Sequence, residues 1–359
     1  MAPKSKNNAA ASAAKCRVWK PLQRKTGGIP GILRVGSHCS GWLGESQALA
    51  NLGIQHRVVM ASDNDPSAKK IIQDNFTVEH FYDNMMTVDV KDMPKCDLYV
   101  CGFPCQPYST AGLNMGIADN RSEPKDKMLE YICTKKPSII ILENVANLRT
   151  RHHDIFDEIV KKLLGLKIYS VKHQILDTQE YGIPQRRKRL YIVAIRKRLL
   201  RLPFAFPRRM RSCPPLSTFM DRDRRGVIRK QKKIDSTLSQ TALNNIMAMM
   251  GKLEKKGIKP FETDVIVDVN AGRFHCHAIN QCPTITAARG KQLGFFHLRL
   301  KRRLSMPELM RLQGADPEKL FTGGLAKTNL GNIVGNAMSI NVLEAVIIAV
   351  MRAVDKAAH

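Results

Sequence analysis

The sequence predicts an α/β protein that is built on a doubly wound, mostly parallel sheet and carries a second, smaller domain. Three observations predict this architecture. From residue 32 to residue 195, short apolar segments alternate with amphipathic segments, which is the pattern of parallel strands joined by helices. The 359-residue length and 43% hydrophobic content suffice for such a core plus a smaller unit. After residue 195 the alternation stops and a basic, proline-rich region begins.

The predicted elements follow one another along the chain. In the first region they are strand 32–36, helix 44–52, strand 56–61, helix 66–75, strand 97–101, helix 126–134, strand 138–142, helix 154–164, strand 167–176 and strand 190–195. Later segments predict a Met-rich helix at 244–253, regular structure at 306–313 and a strongly apolar last helix at 340–354. The last helix should pack back onto the first domain, because its apolar surface needs a partner.

The cysteine count and the absence of targeting signals indicate where the chain resides. Nine cysteines without regular spacing favour reduced thiols in an intracellular compartment over a disulfide framework. The sequence has no apolar run of about 18 residues, so no membrane span is expected. Residues 1–30 lack periodicity and an apolar signal core, and we interpret them as a disordered basic leader.

The charge balance indicates a polyanionic partner. Lys and Arg number 58 against 31 Asp and Glu, which gives a formal net charge of +27. Residues 196–233 are especially basic and contain Asp221 and Asp223 as their only acidic residues. Nucleic acid is the simplest partner for such an excess, and a solvated basic surface is the alternative.

The octapeptide Gly102-Phe-Pro-Cys-Gln-Pro-Tyr-Ser109 contains the main candidate nucleophile, Cys105. It follows a short apolar strand, so the thiol should stand at the carboxyl end of that strand, where open α/β sheets bind ligands. Pro104 restricts the backbone next to the thiol, and Gly102 permits close approach of a ligand. Taken alone, Cys105 is more simply an inert intracellular thiol.

Two further motifs accompany this cysteine. An apolar strand stops on Glu143, and a basic turn that contains Gln185-x-Arg187-x-Arg189 leads into another strand. Taken alone, Glu143 could form a strand-end salt bridge and the arginines could contact phosphate. In their order and spacing, however, the three motifs resemble the DNA cytosine-5 methyltransferase family.

The resemblance implies an enzyme with the Rossmann-like fold of S-adenosylmethionine-dependent methyltransferases. It would methylate carbon 5 of a cytosine flipped out of DNA. Cys105 would be the thiolate that adds to carbon 6 of the ring. Glu143 would hydrogen-bond ring nitrogen 3 and the amino group, which requires a proton and hence a pKa raised by burial. Arg187 would hold the target base and Glu143, and Arg189 would support the site. The expected DNA contacts are Gln106, Ser109, Gln185 and Arg189.

The residues expected around S-adenosyl-L-methionine lie in several separate segments. Asp63 ends the second strand, where a carboxylate can accept hydrogen bonds from ribose hydroxyls. Asp65 is the expected cap of the helix that begins at Pro66. Asn84 stands where the family usually has Asp, and its amide oxygen can still accept from an adenine amino group. The full expected set is Gly41, Gly44, Asp63, Asn84, Gly102, Pro104, Asn336 and Ser339.

The turn after the first strand departs from the family pattern, which is an aromatic residue followed by Gly-x-Gly-Gly. Gly41 and Gly44 are retained, but Cys39, Trp42 and Leu43 surround them. An ordinary tight turn is an equally good interpretation of this segment by itself. The departure leaves the effect of this turn on cofactor affinity open.

The resemblance covers residues 32–195 and 283–352 and implies a division of the chain. Residues 31–196 would form the catalytic and cofactor-binding domain, and residues 197–300 the target-recognition domain. Residues 301–359 would return to the catalytic domain. The expected partner is double-stranded DNA, and a monomer is expected.

Two alternatives remain open. The tRNA-directed branch of the family has Pro-Pro-Cys-Gln, whereas this chain has Phe103 before Pro104, which favours DNA. The other alternative is a catalytically weak DNA-binding member. His275, His277 and Cys282 match no standard zinc spacing, so no metal is expected. The expected location is the nucleus in a eukaryote and the cytoplasm or nucleoid otherwise.

Overall fold

The computed structural model describes residues 31–104, 123–270 and 277–354. The predicted leader therefore lies outside the described residues. So do three predicted site residues, Cys105, Gln106 and Ser109, and one residue of the histidine and cysteine group, His275.

Every predicted strand and helix is present in the described part of the chain, with ends that shift by a few residues. The strands are β1 Leu33–His38, β2 His56–Ser62, β3 Phe81–Tyr82, β4 Leu98–Cys101, β5 Ile139–Val145, β6 Tyr169–Asp177, β7 Lys188–Arg196, β8 Val265–Asp268, β9 His277–Ile279, β10 Phe295–His297 and β11 Arg302–Arg303. The helices are α1 Gly44–Asn51, α2 Pro66–Asn75, α3 Glu123–Lys135, α4 Asn147–Thr150, α5 His153–Gly165, α6 Gln240–Glu254, α7 Ala287–Lys291, α8 Met306–Leu312, α9 Lys327–Asn336 and α10 Ile340–Val354.

The main sheet has seven strands in the order β3-β2-β1-β4-β5-β7-β6. The pairs β1–β2, β2–β3, β1–β4 and β4–β5 are parallel. In contrast, β7 runs antiparallel to both β5 and β6. The chain builds outward from β1 to β3 and then returns to β4 on the other side of β1. This is the predicted doubly wound sheet, and its topological switch point lies between β1 and β4.

Helices cover both faces of the main sheet. Ile141 of β5 belongs to a core cluster that includes Leu49 of α1 and Val346 of α10. The neighbouring Ile140 belongs to a second cluster, which includes Ile159 of α5. Successive strand residues point to opposite faces, so the continuous apolar run in β5 follows from burial on both sides.

The last helix packs onto the first region, as predicted. Its buried residues include Leu343, Val346 and Ile347, which join the core cluster that contains Leu49 of α1. The segment Lys327–Val354 is long enough for a membrane span and contains an 18-residue window with a mean hydropathy of 1.9, but 67% of that window is buried inside the protein. We therefore assign it to the core.

A second sheet has four antiparallel strands in the order β11-β10-β8-β9. Helix α6 packs on it through Ile246, Met249 and Leu253, which contact a cluster containing Val265 and Val267. This sheet falls mostly within the region predicted to recognise DNA, although β11 lies just beyond its predicted end. The division into domains stays a prediction.

Helices α7 and α9 approach so closely that their backbones touch. A Cβ atom on Gly331 would overlap the carbonyl of Gly290, and a Cβ on Gly335 would overlap the carbonyl of Thr286. Small residues four positions apart on α9 thus form the contact face. The contact also sets the position of the end of α9, where Asn336 lies.

Candidate functional site

A cavity of about 590 Å³ opens beside the switch point, where β1 and β4 end. The turn after β1, the ends of β2, β4 and β5, and the last turn of α9 all contribute to its lining. The predicted site residues that line it are Gly41, Gly44, Asp63, Asn84, Gly102, Pro104, Glu143, Arg187, Arg189 and Asn336. Residues expected to hold the cofactor and residues expected to act on the base therefore share one cavity.

The turn after β1 is held by the carboxylate of Asp63 at the end of β2. The Gly41 amide donates to Asp63 Oδ2 at 2.8 Å, and the Asp65 amide donates to Asp63 Oδ1 at 3.0 Å. Burial raises the pKa of Asp63, and these two backbone donors oppose that effect. Each carboxylate oxygen can accept a further hydrogen bond from a ligand in the cavity. Asp65 caps α2 by accepting from the Ser67 amide at 2.8 Å, as predicted.

The same turn contains left-handed backbone at two positions that are not glycine. Cys39 has φ 52° and Leu43 has φ 53°, while Gly41 has φ 56°. Leu43 replaces the middle glycine of the family pattern, and left-handed backbone costs a residue with a Cβ about 1 kcal/mol. The Leu43 side chain is fully buried against Val58, Ala61 and Ile72. Burial of an apolar side chain of this size contributes about 2 kcal/mol, which offsets the strain.

Asn84 and Asn336 line the cavity from two other segments, and both are exposed. The Asn84 Oδ1 atom accepts from the Met86 amide at 2.9 Å and starts a short turn there. Its amide nitrogen, which can donate, has no protein acceptor among the described residues. The Oδ1 atom keeps a second lone pair, so the bond from an adenine amino group stays a prediction.

Glu143 provides the carboxyl group at the other end of the cavity. The register of β4 on β5 pairs Cys101 with Leu142, which brings Glu143 beside Gly102. Its Oε2 atom lies 3.7 Å from the point that a Cβ on Gly102 would occupy. The residue is 8% exposed. Burial raises its pKa, against the opposing charges of Arg189 and, second, Arg187.

The two arginines of the basic turn both line the cavity and differ in their direct partners. Arg189 Nε lies 3.3 Å from Glu143 Oε1, so Arg189 is the residue that contacts this carboxyl. Arg187 is 2% exposed and donates to the carbonyls of Ile285 at 2.8 Å and Ala337 at 2.7 Å. The charge of Arg187 also acts on Glu143, so the expectation that Arg187 holds the base and Glu143 stays a prediction. The hydrogen bonds of Arg187 fasten the end of α9 to the segment before α7.

Two other predicted site residues do not reach the cavity. Gln185 is fully buried, and its Nε2 donates to the Leu312 carbonyl at 2.6 Å while its Oε1 accepts from the Ile285 amide at 3.1 Å. In this structure its side chain is not accessible to DNA. Ser339 is buried, and its hydroxyl lies 2.7 Å from that of Thr178. Both side chains join separate segments of the interior instead of facing a ligand.

The cavity also has lining residues that the sequence interpretation missed. Asn332 lies one helical turn before Asn336 and donates to Asp65 Oδ2 at 3.2 Å, which links α9 to the start of α2. The i, i+4 spacing of the two asparagines was the available signal. Cys39 and Met338 line the cavity as well.

Glu45, directly after the cavity residue Gly44, is expected to make stability pH-dependent. It is fully buried, and burial raises its pKa to about 7 against the opposing effect of the Ser37 hydroxyl. The folded state therefore binds the Glu45 proton more tightly than the unfolded state does. The stabilisation that this proton provides is present below about pH 4.5 and is lost as the pH rises to about 7. Urea denaturation measures the free energy of unfolding at pH 5 and at pH 8. The decrease between these two pH values should be about 2 kcal/mol smaller in Glu45→Gln than in the wild type.

The exposed Glu254→Gln variant is the matched control for this titration, and it should retain the wild-type pH dependence. Other buried carboxyl groups with raised pKa values, such as Asp63 and Glu143, are present in all three proteins. The difference between the proteins therefore isolates Glu45. An identical pH dependence of wild type and Glu45→Gln would contradict the assignment.

Comparisons with known proteins agree with this geometry. The family model for C-5 cytosine-specific DNA methylase matches residues 33–352. The Type II methyltransferase M.NgoBI of Neisseria gonorrhoeae is 29% identical over 289 residues, which cover 80% of this chain and 84% of that protein. M.HaeII of Haemophilus aegyptius is 27% identical over 288 residues, with 80% and 84% covered.

Solved structures support the fold. The methyltransferase EhMeth of Entamoeba histolytica has a TM-score of 0.66 at 19% identity, covering 89% of this chain and 98% of that chain. The family match spans nearly all of the chain and includes every described cavity residue. The chain therefore belongs to the C-5 cytosine-specific DNA methylase family, and the prediction of a DNA cytosine-5 methyltransferase is confirmed.

Proposed function

We propose that the protein transfers a methyl group from S-adenosyl-L-methionine to carbon 5 of a flipped cytosine in double-stranded DNA. The observation that carries the proposal is the buried carboxyl of Glu143 beside Gly102. It shares a cavity with the Asp63 carboxylate, and its pKa is raised by burial. Cys105 follows Gly102 by three residues in the chain. A proton donor and a thiol are the two groups that this chemistry requires.

The chemistry of the cavity lining suits S-adenosyl-L-methionine. Asp63 can accept from the ribose hydroxyls, and the exposed amides of Asn84 and Asn336 can bind the polar edges of the adenine and amino-acid parts. The cationic lining residues are Arg187, which donates to backbone carbonyls, and Arg189, which pairs with Glu143. When bound, the cofactor would supply an electrophilic methyl group.

The protein residues act on the cytosine. The Cys105 thiolate forms a bond to carbon 6, and the ring electrons move to carbon 5, which becomes nucleophilic. Glu143 gives its proton to ring nitrogen 3 and so neutralises the charge that develops there. After methylation, the carbon 5 proton leaves to water and the nitrogen 3 proton returns to Glu143. The bond between carbon 6 and sulfur then breaks and releases the thiolate.

A tRNA substrate is the second candidate within the same chemistry, and a catalytically weak DNA-binding protein is the third. Phe103 before Pro104 favours DNA over tRNA. The Type II methyltransferases among the relatives support a role in DNA modification, which we propose takes place in the cytoplasm.

Transfer of radiolabelled methyl groups tests the proposal. Wild type should label cytosine-containing duplex DNA, Cys105→Ala should not, and Cys133→Ala should behave as wild type because that thiol lies outside the cavity. DNA containing 5-fluorocytosine should trap a covalent complex in the presence of the cofactor. Labelling of tRNA alone would identify the second candidate, and DNA binding without labelling would identify the third.

A further inference from the structure

Two cysteines stand side by side where β1 and β4 end. The register of the two strands pairs His38 with Cys101, and Cys39 directly follows His38. Neighbouring strands lie about 4.8 Å apart and each residue advances a strand by about 3.3 Å, which places the Cα atoms of Cys39 and Cys101 about 6 Å apart. A disulfide bond spans a Cα separation of this size.

Both thiols face the same side of the sheet. Cys101 belongs to the core cluster that contains Tyr99, and Cys39 packs against that cluster. His38 also points there, since its Nδ1 atom lies 2.8 Å from the Tyr99 hydroxyl. In a regular strand Cys39 would point away from the side of His38, but its φ of 52° breaks the alternation. In agreement with this geometry, burial and then interaction with the Cys39 side chain raise the pKa of Cys101.

The two thiols differ in their access to solutes. Cys39 is half-buried and lines the cavity, so a small oxidant in the cavity can reach its sulfur. Cys101 is fully buried, and its raised pKa keeps it protonated. A protonated thiol reacts slowly with peroxides, because the thiolate is the nucleophile. Oxidation therefore begins at Cys39, and Cys101 is placed to react with the product.

Cys96 belongs to the same cluster but lies out of reach of Cys39. Its Sγ atom is 2.9 Å from the point that a Cβ on Gly36 would occupy. Gly36 precedes Cys39 by three residues, which is about 10 Å along a strand. The Cys96 sulfur instead lies 3.3 Å from the Tyr131 hydroxyl. Cys96 thus provides a buried thiol of the same cluster with which Cys101 can be compared.

We propose that Cys39 and Cys101 form a modification site, at which hydrogen peroxide produces a disulfide bond beneath the cavity. The Cys39 thiolate attacks one peroxide oxygen, the O–O bond breaks, and the departing hydroxide takes up the Cys39 proton to become water. The Cys101 sulfur then attacks the resulting sulfenic acid. The S–S bond forms, the S–O bond breaks, and the Cys101 proton leaves with that oxygen as a second water. A dithiol reductant reverses the reaction by thiol–disulfide exchange.

The disulfide bond would pull the turn after β1 toward β4. The turn is attached to β2, because the Ser40 amide donates to the Ser62 carbonyl at 3.0 Å. The Gly41 amide donates to Asp63 Oδ2 at 2.8 Å in the same direction. Since β1 lies between β2 and β4, a bond to Cys101 works against both contacts. The oxidised protein should therefore bind S-adenosyl-L-methionine several-fold more weakly, an effect that rests on the proposed function because it takes that cofactor as the ligand.

Peptide mapping after treatment with hydrogen peroxide tests the site. Trypsin releases Cys39 on one peptide. A second tryptic peptide carries Cys96, Cys101 and Cys105, so variants identify the partner. The two peptides should be linked in the wild type, in Cys96→Ala and in Cys105→Ala, and dithiothreitol should separate them. The link should be absent from Cys39→Ser and from Cys101→Ala, and circular dichroism establishes that each variant is folded.

Calorimetric titration with S-adenosyl-L-methionine measures the effect on the cavity. The titration is done in Cys105→Ala, which removes the proposed catalytic thiol as a competing target of the peroxide. The affinity should fall several-fold after oxidation and return with dithiothreitol. Dithiothreitol distinguishes the disulfide from oxidation of cavity methionines such as Met338, which other reductases repair. Addition of Cys39→Ser should make the affinity insensitive to peroxide.

Each failure has its own signature. Absence of the linked peptides from peroxide-treated Cys105→Ala, or their persistence in Cys101→Ala, would overturn the site. Linked peptides with an unchanged cofactor affinity would overturn the effect on the cavity. If the reduced wild type bound no S-adenosyl-L-methionine, the proposed function would be wrong, and the peptides would still report on the site.

Discussion

Changing Glu143 to glutamine is expected to lower kcat for methyl transfer by about 100-fold to 1000-fold. The amide has nearly the same shape as the carboxyl, so the cavity should keep its form. It can still donate a hydrogen bond to ring nitrogen 3, but it cannot transfer a proton. Single-turnover measurements with labelled cofactor and DNA would report the chemical step directly.

The pH profile separates this role from a purely structural one. Glu143 acts as a proton donor, so activity should be present below its pKa and fall as the pH rises through it. The charge of Arg189 is the largest effect that opposes the rise in this pKa. Arg189→Met should therefore raise the pKa of Glu143 further and move the falling limb of the profile to higher pH. A variant that lost activity uniformly at every pH would point to lost structure instead.

Glu344→Gln provides the matched control for Glu143. Glu344 is also a carboxyl group whose pKa burial raises, but it lies in α10 and accepts from Asn51 at 2.7 Å, away from the cavity. This variant should retain the wild-type kcat. If Glu143→Gln retained activity comparable to Glu344→Gln, the proposed proton donor would be wrong.

Replacing Gly335 by alanine is expected to destabilise the fold by about 3 kcal/mol or more. The added Cβ would overlap the carbonyl of Thr286, which is backbone and cannot rotate away. Helices α7 and α9 would have to separate, which would also move Asn336 at the end of α9. Urea denaturation would measure the loss, and cofactor binding should weaken in the same variant.

Gly251→Ala is the control for the effect of glycine in a helix. Gly251 lies inside α6, and no atom stands within 4 Å of the position that its Cβ would take. Alanine there should stabilise the protein by about 0.5–1 kcal/mol, because glycine lowers helix propensity.

Gly331→Ala should resemble Gly335→Ala, since its Cβ would overlap the Gly290 carbonyl. Stability equal to wild type in both α9 variants would contradict the close contact of α7 and α9.

Local signals predicted some elements with correct ends and left the direction of one strand undecided. Helix α2 begins at Pro66 after its cap Asp65, and α10 runs from residue 340 to residue 354 as predicted. Caps and apolar periodicity lie within the elements themselves. The antiparallel direction of β7 depends on its pairing with β5 and β6, which are distant in sequence, and no local pattern encodes it.

The site shows the same limit. Glu143 and Gly102 were each expected at the end of a strand, and parallel strands present their carboxyl ends at one edge of the sheet. Periodicity could not predict whether Arg187 or Arg189 contacts Glu143, because residues two apart on an extended segment face the same side. Their common direction left open which of them contacts Glu143.

The sequence by itself determined the family, the doubly wound sheet and most of the cavity residues, because these depend on motifs and on periodicity within short segments. Only the tertiary structure decided that Arg189 contacts Glu143, while Arg187, Gln185 and Ser339 join separate parts of the interior. Each of these contacts depends on the register of β7 against β5 or on the packing of α7 and α9, which long-range burial fixes.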